Sequence, residues 1–161
     1  MKKNNKKINK TRRQRGYAFE NHIVNKFNNL SGWGAKRLGS PSVKLPDVMC
    51  VNDYYKTIIA IEAKSTVQNH AYVPADQIER CRDWVNMFGV YDSKYVVLAF
   101  KFGRVTQIIK GQCIPRKLRY HYKVFPYNRF TPSNVRADYD GNILIKSGDD
   151  WMDIKLEDFK F

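Results

Sequence analysis

The stretch that decides the fold is PDVMCVNDYYKTIIAIEAK, residues 46–64. It contains two apolar runs, 48–51 and 57–61, and the polar residues between them favour a turn. Apolar runs of this length, rich in β-branched residues, predict the two strands of a hairpin. The second run carries no polar residue between positions 58 and 61, which indicates a strand that is buried on both faces. We therefore expect further layers on both sides of the sheet.

Three charged side chains stand at one edge of this predicted hairpin. Side chains alternate between the faces of a strand, so Glu62 and Lys64 point to the same side. Asp47 precedes the first strand and lies beside Glu62 if the two strands pair. Two carboxylates offer the hard oxygen ligands that Mg²⁺ or Mn²⁺ prefers, and Lys64 can stabilise charge that grows on a phosphate. The alternative is a surface ion pair, worth about 0–1 kcal/mol.

The composition indicates one basic domain. The chain has 161 residues, enough for a single core, and a formal net charge of +14. Such a charge attracts polyanions, and nucleic acid is the commonest of these. A membrane surface is the rival partner, but no run of about 18 apolar residues is present to span a bilayer, and no secretory signal is found. The three cysteines lack the spacing of a zinc site, so we expect a reducing, cytoplasmic setting.

The first thirty residues divide into a basic segment and a helix. Residues 1–15 carry eight Lys or Arg and no acid, which predicts a disordered arm that contacts phosphates, or else a solubilising tail. Residues 16–30 place apolar side chains at helical spacing. Glu20 flanks this apolar stripe, where it either reaches inward or complements the helix N-terminus.

Two polar segments flank the charged cluster. The loop at 39–46 contains Ser40, Ser42 and Lys44 and leads directly into Asp47, and loops of this kind often hold functional residues. The alternative is that its serines are ordinary turn residues. A second helix is predicted over 74–88, with Gln77 one turn before a buried position, either binding a phosphate, a water or the lysine, or half exposed.

The remaining pattern completes an α/β fold, with a central mixed β-sheet flanked by helices on both faces. Strands are predicted over 95–100 and 105–109. Residues 111–135 interleave basic and aromatic side chains, as in a nucleic-acid surface or an ordinary amphipathic strand. A hairpin is predicted over 138–146, and the acidic segment 149–161 is predicted to form a peripheral strand or a short helix.

Several motifs, taken in order, resemble one known family. They are Arg15-Gly16-Tyr17-Ala18-Phe19-Glu20, Arg37, the serine-containing loop, Pro46-Asp47, Ile61-Glu62-Ala63-Lys64, Tyr72-Val73 and Gln77. Their order and spacing resemble the archaeal Holliday junction resolvases of the PD-(D/E)xK nuclease superfamily, over residues 12–101. The resemblance implies a restriction-endonuclease-like nuclease domain at 16–115, between the arm at 1–15 and an extension at 116–161 packed on the core.

The resemblance also implies roles for individual residues. The catalytic residues are predicted to be Glu20, Ser42, Asp47, Glu62 and Lys64. The metal ligands are predicted to be Glu20, Asp47 and Glu62. Together with the basic arm and the loop, the resemblance predicts DNA contacts by Arg13, Arg15, Arg37, Ser40, Lys44 and Gln77. Ser40 and Ser42 compete for the family's loop serine, and Ser42 is preferred because its distance from Asp47 is closer to the family pattern.

The function that the resemblance implies is junction resolution. The predicted protein is a homodimer that cuts four-way DNA junctions with Mg²⁺, for which Mn²⁺ can substitute, during recombination and repair. It would act beside the nucleoid in the cytoplasm of an archaeal-type cell. One alternative is a nuclease of the same superfamily that acts on duplexes or flaps. The other is a DNA-binding protein without activity, but unmetallated carboxylates would repel phosphate.

Overall fold

A five-stranded mixed sheet forms the centre of the fold. The computed structural model describes the backbone of residues 2–39, 44–109 and 112–161, and their side chains except those of 2–10 and 107–109. The elements of this described chain are α1 (Lys2–Asn28), β1 (Gly34–Arg37), β2 (Val48–Asn52), β3 (Thr57–Thr66), β4 (His70–Val73), α2 (Ala75–Met87), β5 (Ser93–Phe102), β6 (Val105–Ile109), β7 (Gln112–Arg116), β8 (Arg119–Phe125), β9 (Val135–Asp138), β10 (Ile143–Ser147) and β11 (Asp150–Ile154).

The central sheet has the strand order β1-β2-β3-β5-β8. β2 and β3 form the predicted antiparallel hairpin, and Val48 pairs with Ile61. One step further along this register, Asp47 stands beside Glu62, as predicted. β5 returns parallel to β3 after the crossover through α2, and β8 joins β5 antiparallel. The predicted mixed α/β sheet is therefore confirmed.

Helix α1 covers one face of the central sheet. Phe19, Ile23 and Phe27 are fully buried and form the predicted apolar stripe. The helix begins at Lys2 rather than at residue 16, so the predicted boundary is wrong and the segment predicted as a disordered arm is helical. Lys, Arg and Gln favour helix, and the glycine at position 16 costs only about 1 kcal/mol in a helix interior. A helix nucleated on the core can therefore continue through it.

Helix α2 and a second sheet cover the opposite face. α2 buries Ile78, Cys81 and Val85 there. The second sheet is antiparallel, with the order β11-β10-β9-β4, and its apolar side chains join the same core. Both strands of the predicted C-terminal hairpin belong to it. Gly141 in their turn has φ +92°, and a Cβ there would lie 2.6 Å from the His121 ring, so glycine is required.

Two C-terminal predictions are revised by this arrangement. The predicted extension begins at residue 116, but β8 is an edge strand of the central sheet. The core therefore runs to Phe125, because β8 buries side chains against β5. The acidic end contains a strand, β11, which pairs with β10. Of the two options predicted for this segment, the peripheral strand is found.

Candidate active site

The charged side chains of the hairpin edge line a cavity of about 240 Å³. Glu20 reaches it from α1, Asp47 from the start of β2, and Glu62 and Lys64 from the end of β3. Gln77 reaches it from α2. The cavity is completed by Tyr17, Gly39, Leu45 and Arg80. Five predicted site residues are thus brought together from four parts of the chain.

Asp47 is fixed by the backbone around it. Its Oδ2 accepts a hydrogen bond from the Ala63 N–H at 2.8 Å. Its own carbonyl accepts from the N–H groups of Leu38 and Gly39, at 2.9 and 3.4 Å. A Cβ on Gly39 would lie 3.2 Å from Asp47 Oδ1, which is closer than an ordinary contact. The glycine therefore lets the loop approach the carboxylate.

Glu62 is a buried carboxylate held between two cations. Its exposed fraction is 1%. Lys64 Nζ donates to Oε1 at 2.6 Å, and Arg80 Nη2 donates to Oε2 at 3.1 Å. Burial raises the pKa of Glu62 because it disfavours the charged form, and the nearby Asp47 carboxylate adds to this, whereas Lys64 and Arg80 oppose it. Burial has the largest effect of these.

Glu20 has the same character on the other side of the cavity. It is 8% exposed, and its Oε2 accepts a hydrogen bond from Arg37 Nη1 at 3.2 Å. The Arg37 guanidinium lies 4.4 Å from the centre of the Tyr17 ring. Burial and then the charge of Asp47 raise the pKa of Glu20, while Arg37 lowers it. The mutual repulsion of these acids indicates that they face one shared volume.

The oxygen donors of the cavity fit a divalent cation in their chemistry. Gln77 Oε1 is buried and accepts no hydrogen bond from any described residue. Gln77 lines the same cavity as the three carboxylates, whose oxygens are hard donors of the kind Mg²⁺ binds. Within the described residues, no group of three or more His, Cys, Asp or Glu has the arrangement of a ready metal site. The acids instead engage cationic side chains and a backbone N–H.

The predicted arginines lie on two elements, Arg13 and Arg15 on α1 and Arg37 on β1. Arg13 is exposed and lies seven residues before Glu20, on the same side of the helix. Arg15 is half buried, and its Nε has no hydrogen-bond partner among the described residues. Arg37 contacts Glu20 directly. The structure thus brings Arg37 to the acids, whereas Arg13 and Arg15 lie outside the cavity lining.

The predicted loop residues are only partly described. Ser40 and Ser42 lie outside the described residues, so the choice between them stays a prediction. Lys44 does not line the acidic cavity but a groove of about 290 Å³ along α2. Its carbonyl accepts a hydrogen bond from Trp84 Nε1 at 3.1 Å, which ties the end of the loop to the helix.

Arg80 is a charged residue of the site that was not predicted from the sequence. It contacts Glu62 and lines both the acidic cavity and the neighbouring groove. Its signal was its position three residues after Gln77, because residues three apart on a helix share a face. Tyr17 and Leu45 also line the cavity and were not predicted to belong to the site.

A larger cavity lies away from the predicted residues. It measures about 910 Å³ and is bounded by β8, the β9–β10 turn and β11. Its acids include Asp138 and Asp153, and its basic residues include Lys123 and Lys155. Asp138 accepts hydrogen bonds from Asn142 and from the turn backbone, which lower the pKa of its carboxyl although burial acts in the opposite direction. This acid is committed to the turn, so the smaller cavity is the better candidate site.

A family comparison identifies what the cavity belongs to. The family model of the archaeal Holliday junction resolvases (Hjc) matches residues 11–126, well over half of the chain. The chain belongs to this family. The match contains all four elements that line the cavity, and membership of the Hjc family supports a junction-resolving nuclease. The strands β9 to β11 lie beyond it.

The solved structures include a similar Hjc fold. The structure of Archaeoglobus fulgidus Hjc, a Holliday junction resolvase from an archaeal hyperthermophile, is 22% identical to this chain. The match covers 78% of this chain and 84% of that one, with a TM-score of 0.50. At this identity the likeness shows the fold, a mixed sheet with helices consistent with a restriction-endonuclease-like core. A comparison with curated proteins gives no match. No helix in the described chain is long and apolar enough to cross a membrane.

Proposed function

We propose that this member of the family is a metal-dependent endonuclease that hydrolyses phosphodiesters in four-way DNA junctions during recombination and repair. The observation that carries the proposal is the meeting of Glu20, Asp47, Glu62 and Lys64 on one cavity. Acids that are held close together although their charges repel each other are typical of a functional site. They have a chemical use if a cation joins them to a phosphate.

The proposed cation is Mg²⁺, with Mn²⁺ able to substitute. Glu20, Asp47 and Glu62 would hold it, and Gln77 lies beside them in the lining of the cavity. When bound, such an ion supplies Lewis-acid activation of the scissile phosphate and of the attacking water. Asp47 and Glu62 suit this role because the register of β2 and β3 fixes their separation.

Lys64 is proposed to stabilise the reacting phosphate. Its Nζ donates to Glu62 Oε1 and lines the cavity. Once released from this bond, the ammonium can donate to the attacking water or to a phosphate oxygen on which negative charge develops. The attacking water loses a proton as its oxygen forms a bond to phosphorus, the opposite P–O ester bond breaks, and the leaving oxygen takes up a proton. The predicted loop serine, Ser42 or Ser40, would contact the same phosphate.

The DNA arms are proposed to lie along the basic surface beside α1. Arg13 and Arg15 would contact backbone phosphates, and Lys44 would do so from the loop. Arg37 links this surface to the acids through Glu20. A homodimer would contain two such sites related by a two-fold axis, which matches the symmetry of a four-way junction. The DNA substrate and three free cysteines support a cytoplasmic location.

The direct test is cleavage of a labelled four-way junction, compared with cleavage of a labelled linear duplex and a labelled flap of matching sequence. We expect paired nicks in the junction that require Mg²⁺. Asp47→Asn should lower the rate about 100-fold or more, because it removes a charged ligand worth several kcal/mol of transition-state stabilisation. The asparagine oxygen can still accept the Ala63 N–H bond, so the fold should be retained.

Asp53→Asn is the matched control. It removes the same charge from the same hairpin, but Asp53 lies in the β2–β3 turn and bonds the Tyr91 hydroxyl. Its cleavage rate should equal that of the wild type. Equal cutting of junction, duplex and flap would contradict junction selectivity. Tight junction binding without cutting in Mg²⁺ or Mn²⁺ would contradict the enzyme and favour a binding protein.

A further inference from the structure

The two carboxylate oxygens of Glu62 are bonded to different cationic side chains. Oε1 is bonded to Lys64, which neighbours it on the same strand, and Oε2 is bonded to Arg80, which comes from α2. A carboxylate that binds a cation needs one oxygen free and a fixed orientation. A metal ion that binds Glu62 must therefore displace one of these two cationic side chains.

Arg80 has the more enclosed and the less flexible side chain of the two partners. It lies between Ile78 and Cys81, both of which are fully buried, so the helix holds its backbone against the sheet. Its side chain is 19% exposed, against 26% for Lys64. A guanidinium is also planar and pre-organised for hydrogen bonds, whereas an ammonium sits on a flexible stem. Lys64 is thus the side chain that can move into the cavity.

We propose that Arg80 is a positioning residue that keeps hold of Glu62 Oε2, so that Oε1 can pass from Lys64 to a divalent cation. The inference rests on the proposed role of Glu62 as a metal ligand. It assigns the two cations around Glu62 separate tasks: Arg80 orients the carboxylate, and Lys64 exchanges between the carboxylate and the phosphate. Partners that orient a ligating carboxylate commonly contribute 10- to 100-fold to metal affinity, on the order found in other metal sites.

The opposite role makes the opposite prediction. If Arg80 merely occupied Oε2 in competition with the ion, its removal would strengthen metal binding. If it served only to pack α2 on the sheet, its removal would lower the melting temperature but leave the metal affinity of the folded protein unchanged. The sign of the change in metal affinity therefore separates the three roles.

The test is Mn²⁺ binding to the full chain without DNA, followed by the electron paramagnetic resonance signal of the free ion. Arg80→Gln should weaken binding about 10- to 100-fold. Arg80→Lys keeps the positive charge but lacks the planar set of guanidinium donors, so its Mn²⁺ affinity should lie between those of Arg80→Gln and the wild type. In junction cleavage, Arg80→Gln should need a correspondingly higher Mn²⁺ concentration for half-maximal rate.

Arg82→Gln is the control on the same helix, because Arg82 bonds Glu79 and Asp83 and not Glu62. It should bind Mn²⁺ like the wild type. Unchanged or tighter binding by folded Arg80→Gln would overturn the proposal, and melting curves identify the folded variants. If Arg80→Gln fails to fold, Arg80→Lys decides: weaker binding supports the proposal, and wild-type binding overturns it. A wild type that binds Mn²⁺ but cuts no junction would contradict the proposed function and leave this inference standing.

Discussion

At the scale of single residues, Glu20 is a buried acid whose charge reduces the stability of the metal-free protein. Its pKa is raised above its ordinary value of 4.5, chiefly by burial and then by Asp47. An acid with a raised folded pKa binds protons more readily when folded, so the free energy of unfolding falls as pH rises from 4.5 towards the folded value. The repulsion between the acids of the proposed metal site therefore destabilises the metal-free fold.

Glu20→Gln should accordingly stabilise the metal-free protein at pH 7, by about 0.5–2 kcal/mol, while lowering cleavage. Urea unfolding at pH 7 and at pH 4 measures the effect, and the difference from wild type should shrink at the lower pH, where the acid is mostly protonated in both states. Glu79→Gln on the exposed side of α2 should change stability little. A destabilised Glu20→Gln at pH 7 would show that the bond to Arg37 outweighs burial.

Residue-level prediction from the sequence succeeded where the relevant geometry is local. The two-residue alternation of a strand placed Glu62 and Lys64 on one face, and hairpin pairing brought Asp47 beside them. Arg80 was missed because its contact depends on how α2 rotates against β3, which no local pattern specifies. Its position three residues after Gln77 makes Arg80 a candidate, but only the packing shows that it bonds Glu62.

At the scale of elements, helix α2 is stabilised by the segment that follows the family-matched region. Pro74 occupies its N-cap and provides no side-chain cap. Asn134 supplies the missing acceptor, because its Oδ1 accepts from the Ala75 N–H at 2.9 Å. Side-chain caps of this kind contribute about 1 kcal/mol. The segment that leads into β9 therefore stabilises the helix that carries Gln77 and Arg80.

Asn134→Ala should lower the free energy of unfolding by about 1 kcal/mol, within a range of roughly 0.5–2 kcal/mol. Hydrogen exchange should also be faster at the first turn of α2, where the Ala75 N–H loses its acceptor. Asn128→Ala serves as the control, since Asn128 is exposed in the same C-terminal segment. Equal stability and equal exchange in the two variants would mean that α2 does not need this cap.

Elements were predictable in proportion to how local their pairing is. The β2–β3 hairpin and the β9–β10 hairpin each carry their turn within a few residues. β4 was recognised only as a short extended piece, because its partner is β9, more than sixty residues away: His70 pairs with Asp138. The predicted start of α1 is wrong because the strong helix formers in 1–15 outweigh the single glycine at position 16.

At the scale of the whole molecule, the excess of basic residues ends at about the same position as the match to the family model. Residues 126–161 hold seven of the fifteen acids but only five of the twenty-nine basic residues. The excess positive charge therefore belongs almost entirely to the part that the family model matches and to the residues before it. A DNA junction should meet the α1 side of the molecule, because the acidic second sheet repels phosphate.

This division gives a prediction for the salt dependence of binding. Each neutralised phosphate releases counterions, so the logarithm of the binding constant falls with the logarithm of salt concentration by about 0.9 per contact on duplex DNA. Arg13→Gln should reduce that slope by about 0.9 for each phosphate contact that is lost, and it should weaken junction binding most at low salt. Lys155→Gln, an equal loss of charge within the acidic extension, should leave the slope unchanged. Binding of an Asp47→Asn background to a labelled junction across a salt series measures both slopes without cleavage. Equal losses from both variants would mean that net charge alone attracts DNA, whereas a loss confined to Arg13→Gln places the DNA arms along α1.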